Sequence, residues 1–238
     1  MNQTALMASL RTGLGKVYRP PTAIGGHDIQ HIERLLLMYR EISELIPGVS
    51  EFEYEIAVWL HNLDRYPALL ASSGALNLTC LIHLYLAPGK LEPETTERII
   101  TAVMEHSKKD DGTNDSPLLQ ALRLADKWDR IGILGITDSF SWKGPQLPAY
   151  EKTGFGYGST AEGSMTCHYQ NFYRVLEWYT MYPLIRELVR RKPHRFEHLL
   201  ACIRMFAREV SEAQDVPNTV EDDIARCLGN FYPQWHPK

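Results

Sequence analysis

The chain has 238 residues, of which 44% are hydrophobic and 23% charged, with a net charge of -4. These proportions exclude a disordered or fibrous chain, and the length suffices for one large domain or two small ones with a sizeable core. A slightly acidic, nearly balanced charge gives no electrostatic basis for binding a nucleic-acid polymer.

The opening MNQTALMASLRTGLGK lacks a continuous apolar run after a basic start, so it does not read as a signal peptide. From His27 to Ile46, apolar residues at 29, 32, 36, 39, 42 and 46 form one stripe at helical spacing, ended by Pro47-Gly48. Ser50 fits an N-cap for the next helix, with Glu53 completing a capping-box pattern, and that helix runs to about His61. Asn77 to Leu86 reads as a short helix stopped by Pro88-Gly89. The uncharged stretch from Leu76 to Ala87 is too short to cross a bilayer and contains His83, so no membrane contact is expected. Pro93 sits near the start of a helix reaching His106, and the polar DDGTNDSP that follows is a loop.

Leu118 to about Ile133 is again helical, with apolar residues at 118, 121, 122, 125, 128 and 131. Thr137 to Ser164 has no period and is rich in Gly, Ser, Pro and aromatics. A loop of that length suggests a lid over a site. Helices are expected over about Cys167–Arg191, Phe196–Ala213 and Val220–Leu228. No strand, repeat or interdomain linker is visible, so the expectation is an all-α fold in a single domain, 1–238. Cys80, Cys167, Cys202 and Cys227 form no CxxC pair. This argues against a zinc ribbon and reads as reduced thiols of a cytoplasmic protein. The apolar late helices suit a homodimer or a core equally, and the ending FYPQWHPK has no assigned role.

Three local patterns carry chemistry. GGHDIQHIERLL places His27, His31 and Arg34 on the first turns of one helix at spacings that share a face. AVWLHNLDR ends an apolar helix in His61-Asn62, with Asp64 close behind. LRLADKWDRIG sets Asp126 and Asp129 one turn apart among apolar residues; a carboxylate buried there is costly unless paired or metal-bound. MEHSKK adds His106 at a helix end. Imidazole and carboxylate together suit Zn, Mn, Fe and similar divalent ions.

Taken together, these patterns resemble the HD superfamily of metal-dependent phosphohydrolases, whose signature is a His, a His-Asp doublet and a later Asp on successive helices. His31 in HDIQHIERL matches the first His. His61-Asn62 in LHNLD matches the doublet, and Asp126 in LADKWDRIG resembles the final Asp of an ADRLDxIG stretch. His106-Ser107 and His168-Tyr169 resemble the HS and HF pairs of one bacterial branch. The resemblance spans about 27–182, with the helices of about 196–228 beyond it. It implies one divalent metal ion (Mn, Fe, Zn, Co or Ni) held by His31, His61 and Asp126, with Asn62 as a weak further donor. Mg is disfavoured because it prefers oxygen ligands.

The doublet aspartate is Asn62 here, and a neutral amide bridges two ions poorly, so one metal is expected at most. His106 is either a helix-end histidine or a group contacting phosphate, and Asp64 is either an exposed carboxylate or a base toward water. Arg34 either pairs with a glutamate or binds phosphate. Lys127 stands where the family has arginine and keeps the charge without the bidentate geometry. The resemblance implies hydrolysis of a small phosphorylated compound, a nucleotide above all. The alternative is a degenerate HD domain that binds a ligand or partner without catalysis. A third reading, a non-haem iron oxygenase, is disfavoured by Asn62.

Overall fold

The structure is a computed structural model describing residues 3–108, 115–143, 165–215 and 217–236. Among these the chain is all-α, with thirteen α-helices and no strand. It divides into two compact units, Met1–Asp126 and Lys127–Lys238, the boundary falling inside one helix.

The first unit contains α1 (Gln3–Val17), α2 (Ile29–Leu37), α3 (Tyr39–Leu45), α4 (Glu51–Leu60), α5 (Pro67–Ser73), α6 (Leu78–Leu86), α7 (Pro93–Glu105) and most of α8 (Pro117–Asp129). The centre is α4, which packs against α1, α2 and α7. That placement explains its sequence: Ile56, Ala57, Val58, Trp59 and Leu60 are consecutive and all buried, because neighbours cover every side of its last turns. Its start is set as expected, the Ser50 hydroxyl accepting from Glu53 N–H at 3.4 Å. Glu53 then departs from the box and pairs with Arg98 on α7. Asn77 caps α6 through Cys80 N–H at 2.9 Å, and Asp28 caps α2 through Gln30 and His31 N–H.

Buried tyrosines fasten the backbone carbonyls that these helices leave over. Tyr54 donates to the Leu35 carbonyl at 2.8 Å, Tyr18 to Trp59 at 2.8 Å and Tyr66 to His27 at 2.9 Å. The first of these accounts for a break that periodicity did not show. The stripe from His27 to Ile46 belongs to two helices, not one, and they part at Met38. The Leu35 carbonyl there is shared by Met38 N–H and the Tyr54 hydroxyl. Two helices went unassigned from sequence. In α1, Leu6, Leu10 and Leu14 recur every fourth residue and are buried, whereas α5 buries nothing and has no stripe to read.

The second unit contains α9 (Ile133–Lys143), α10 (Met165–Met181), α11 (Pro183–Arg191), α12 (Pro193–Gln214) and α13 (Val220–Leu228), with α10 packed against the other four. Three expected boundaries move. The helix expected to reach Ile133 stops at Asp129, because Gly132 turns the chain at φ +113°, a conformation L side chains rarely adopt. Arg195 closes that end, lying 4.6 Å over the Trp128 ring and donating to the carbonyls of Ile131 and Asp129. The loop expected from Thr137 is helical through Lys143, and its remainder, 144–164, lies outside the described residues, as do 109–114 of the DDGTNDSP loop. The helix expected over Cys167–Arg191 is interrupted by Pro183, whose ring disfavours helical geometry at Tyr182. The C-terminal FYPQWHPK acquires a place: Trp235 packs 4.8 Å from the Phe196 ring and 5.7 Å from Tyr179, with Phe231 beside Tyr179.

No single helix among the described residues is long and apolar enough to cross a membrane. Core and surface positions in the first unit differ sharply in cost. Ile56→Ala, at a fully buried site, is expected to lower stability by about 2–5 kcal/mol. Leu76→Ala, at a residue 92% exposed, should stay within about 0.5 kcal/mol. Chemical denaturation of the two variants beside the parent checks both.

Candidate metal centre

Two helix ends in the first unit are built alike. His61 caps the C-terminus of α4 and His106 that of α7, and these helices pack together. The last carbonyls of a helix have no partner within it. Each histidine turns back to supply one, with Nδ1 2.7 Å from the carbonyl three residues earlier, Val58 for His61 and Val103 for His106. A carbonyl only accepts, so Nδ1 carries the proton in both rings, and Nε2 of a neutral ring keeps its lone pair. The two rings meet edge to face, centroids 5.2 Å apart.

The His61 lone pair points at His31. Their Nε2 atoms lie 3.1 Å apart, and His31 Nε2 lies 3.6 Å from Asp126 Oδ1. His31 comes from the first turn of α2, beside its Asp28 cap, and Asp126 from α8. The three residues are only 2%, 1% and 8% exposed, and their donor atoms all lie within 4.8 Å of one another. Three helices from separate parts of the chain thus converge on one small volume, a cluster able to hold a metal ion.

The spacing tests the fit. Ligands about 2.1 Å from an ion, at angles from square to tetrahedral, stand about 3.0–3.4 Å apart. The 3.1 Å separation falls inside that range and the 3.6 Å separation just beyond it. His61 also has the support usual for a metal-binding imidazole, its other nitrogen donating to a backbone carbonyl that fixes tautomer and ring orientation. Burial pushes the His61 imidazole well below its ordinary pKa, with the neighbouring rings of His31 and His106 adding to the effect and Asp126 opposing it. The ring is therefore neutral at pH 7, the form in which imidazole ligates metal.

The other residues singled out by sequence fall in different places. Asn62 is 3% exposed, directly after His61, and its Nδ2 is sealed from solvent without a hydrogen-bond partner. An unsatisfied buried amide costs about 1–3 kcal/mol. His27 is buried with its ring edge-on to His31, centroids 6.2 Å apart. Arg34 is half-buried, one turn after His31 on α2. Asp64 does not join the cluster: it is exposed on the turn Leu63–Arg65 and pairs with Arg65 at 3.3 Å. Lys127 places its ammonium 4.9 Å from the centre of the Tyr182 ring. His168 and Tyr169 fall within α10, but their side chains lie outside the described residues.

Arg123 was not among the residues singled out from the sequence. It is buried, salt-bridged to Asp115, and donates twice to the Glu105 carbonyl at the end of α7. It thereby pins α8, one turn before Asp126, to the helix end that presents His106. A buried arginine in an apolar stripe was the available signal.

No protein-family model and no curated protein matches the sequence. Solved structures do match. A Lactobacillus plantarum protein from a structural-genomics programme superposes with a TM-score of 0.66 at 14% identity, over 87% of this chain and 98% of that one. Bacillus subtilis YpgQ gives a TM-score of 0.61 at 22% identity, over 88% and 97%. YpgQ in complex with ADP gives 0.58 at 23% identity, over the same shares. At these identities the likeness establishes a shared helical fold.

The buried imidazole has a consequence for stability. Its pKa is lowered in the folded state, so below about pH 6.5 the unfolded chain takes up a proton that folded His61 resists. The contribution of His61 to metal-free stability is expected to be flat above that pH and to fall as pH drops through it, by up to about 1.4 kcal/mol per unit. Denaturation of the metal-free protein from pH 8 to 5, beside His61→Gln, checks this; the variant should show a shallower decline.

Proposed function

We propose that this chain is a metal-dependent phosphohydrolase of the HD superfamily acting on a small phosphorylated compound, a nucleotide. The observation that carries the reading is the buried convergence of His31, His61 and Asp126, the residues that the sequence resemblance assigns to the metal. Support comes from the helical fold shared with YpgQ, which has been crystallised with ADP.

The proposed cofactor is one divalent ion, Mn, Fe, Zn, Co or Ni, since two imidazoles and a carboxylate suit borderline metals better than Mg. Such an ion supplies a Lewis acid that polarises a phosphoryl oxygen and acidifies water to give a nucleophile near neutral pH. The chain's own residues do the rest. Val58 holds the His61 ring in the tautomer that exposes Nε2, and Val103 does the same for His106. His106, with its proton fixed on Nδ1, offers Nε2 as a proton acceptor beside the cluster. Arg34, one turn from His31, is the proposed cation for developing charge on the phosphoryl group.

Asn62 favours a second reading, a domain that binds a nucleotide without turning it over. A panel of nucleoside mono-, di- and triphosphates, tested with Mn demonstrably bound, separates the two. The phosphohydrolase reading expects release of phosphate or pyrophosphate, reduced about 100-fold or more in His61→Ala and Asp126→Ala as metal is lost. No hydrolysis across the panel, with hydrolysis appearing in Asn62→Asp, would establish the binding domain instead.

A further inference from the structure

The phosphohydrolase reading leaves one buried amide, next to His61 in the chain, without a task. Asn62 follows His61 with no residue between. Its backbone, at φ -99° and ψ 9°, leads out of the helix into the turn Leu63–Arg65. The side chain is 3% exposed, and Nδ2 has no hydrogen-bond partner among the described residues. An amide nitrogen only donates, so neither a metal ion nor another donor satisfies it; an acceptor does. Buried donors are nearly always paired, and one left open on the residue that follows a candidate metal ligand is a place for a ligand's acceptor atom.

The charge of the three ligands taken with their ion indicates which acceptor. As ligands, His31 and His61 are neutral and Asp126 carries one negative charge. A divalent ion therefore leaves the loaded cluster with one net positive charge. A carboxylate at position 62 would cancel that charge and turn repulsive lone pairs toward any anion. The carboxamide has nearly the same shape, yet keeps the charge and presents N–H groups.

We propose that Asn62 is the anion-recognition residue of this site: its Nδ2 donates to a phosphoryl oxygen of the substrate, and its neutrality keeps the ion-loaded cluster cationic. The proposal rests on the metal-dependent phosphohydrolase reading. It makes the exchange of aspartate for asparagine a gain in phosphate binding, at the cost of a second bridging carboxylate.

The test uses the full chain loaded with Mn and inorganic phosphate as the probe. Relaxation of the phosphate ³¹P signal by bound Mn gives the phosphate Kd, and Mn stoichiometry is measured alongside. Asn62→Ala is expected to weaken phosphate about ten- to hundredfold, the worth of a hydrogen bond to a charged acceptor, with Mn stoichiometry unchanged. Asn62→Asp, which preserves shape, is expected to weaken phosphate at least as much while holding Mn more tightly. An unchanged phosphate Kd in Asn62→Ala overturns the role of Asn62 alone, as does loss of Mn in that variant, which would make Asn62 a ligand. A parent protein that takes up no Mn overturns the phosphohydrolase reading and the cationic site with it.

Discussion

Taking His31, His61 and Asp126 out of water inside an apolar helical unit is tolerable only because they face one another. A buried carboxylate or imidazole needs a partner, and each of these three groups has another of them close by. His31 Nε2 lies between the other two, 3.1 Å from His61 Nε2 and 3.6 Å from Asp126 Oδ1. A cation between them serves all three. The surrounding structure maintains this geometry against the tendency of each side chain to reach solvent.

That maintenance depends on orphaned carbonyls. Val58 and Val103 each use a leftover helix-end acceptor to fix a histidine tautomer, so a general feature of helix termini becomes a chemical specification. Tyr54, Tyr18 and Tyr66 take up other carbonyls of the same segments. Arg123 takes the one at Glu105 and so ties α8 to α7. Each of the three tyrosines is buried and donates one directed hydrogen bond to a carbonyl, which fixes a backbone position without adding an exposed polar face.

Much of this was legible in the sequence, for physical reasons. The spacings of α2, α7 and α12 follow the helical period because each of these helices buries one face, and Ser50 caps where its short side chain reaches an open N–H group. His31, His61 and Asp126 were visible as polar residues next to such apolar positions, in an order that resembles the HD pattern. The break at Met38 was not visible, because Tyr54, a residue distant in the chain, closes on the Leu35 carbonyl there. The separation of Asp64 from the cluster was equally hidden. The chain leaves the helix at His61, and Asp64, on the turn that follows, ends exposed beside Arg65.

The account stands on one claim, that two imidazoles and a carboxylate of this chain bind a single ion. X-ray absorption at the metal edge of the Mn-loaded full chain measures it most directly. The account predicts one ion per chain, with two imidazole nitrogens and the remaining ligands oxygen. A protein that retains no ion, or an ion whose surroundings contain no imidazole, would contradict it.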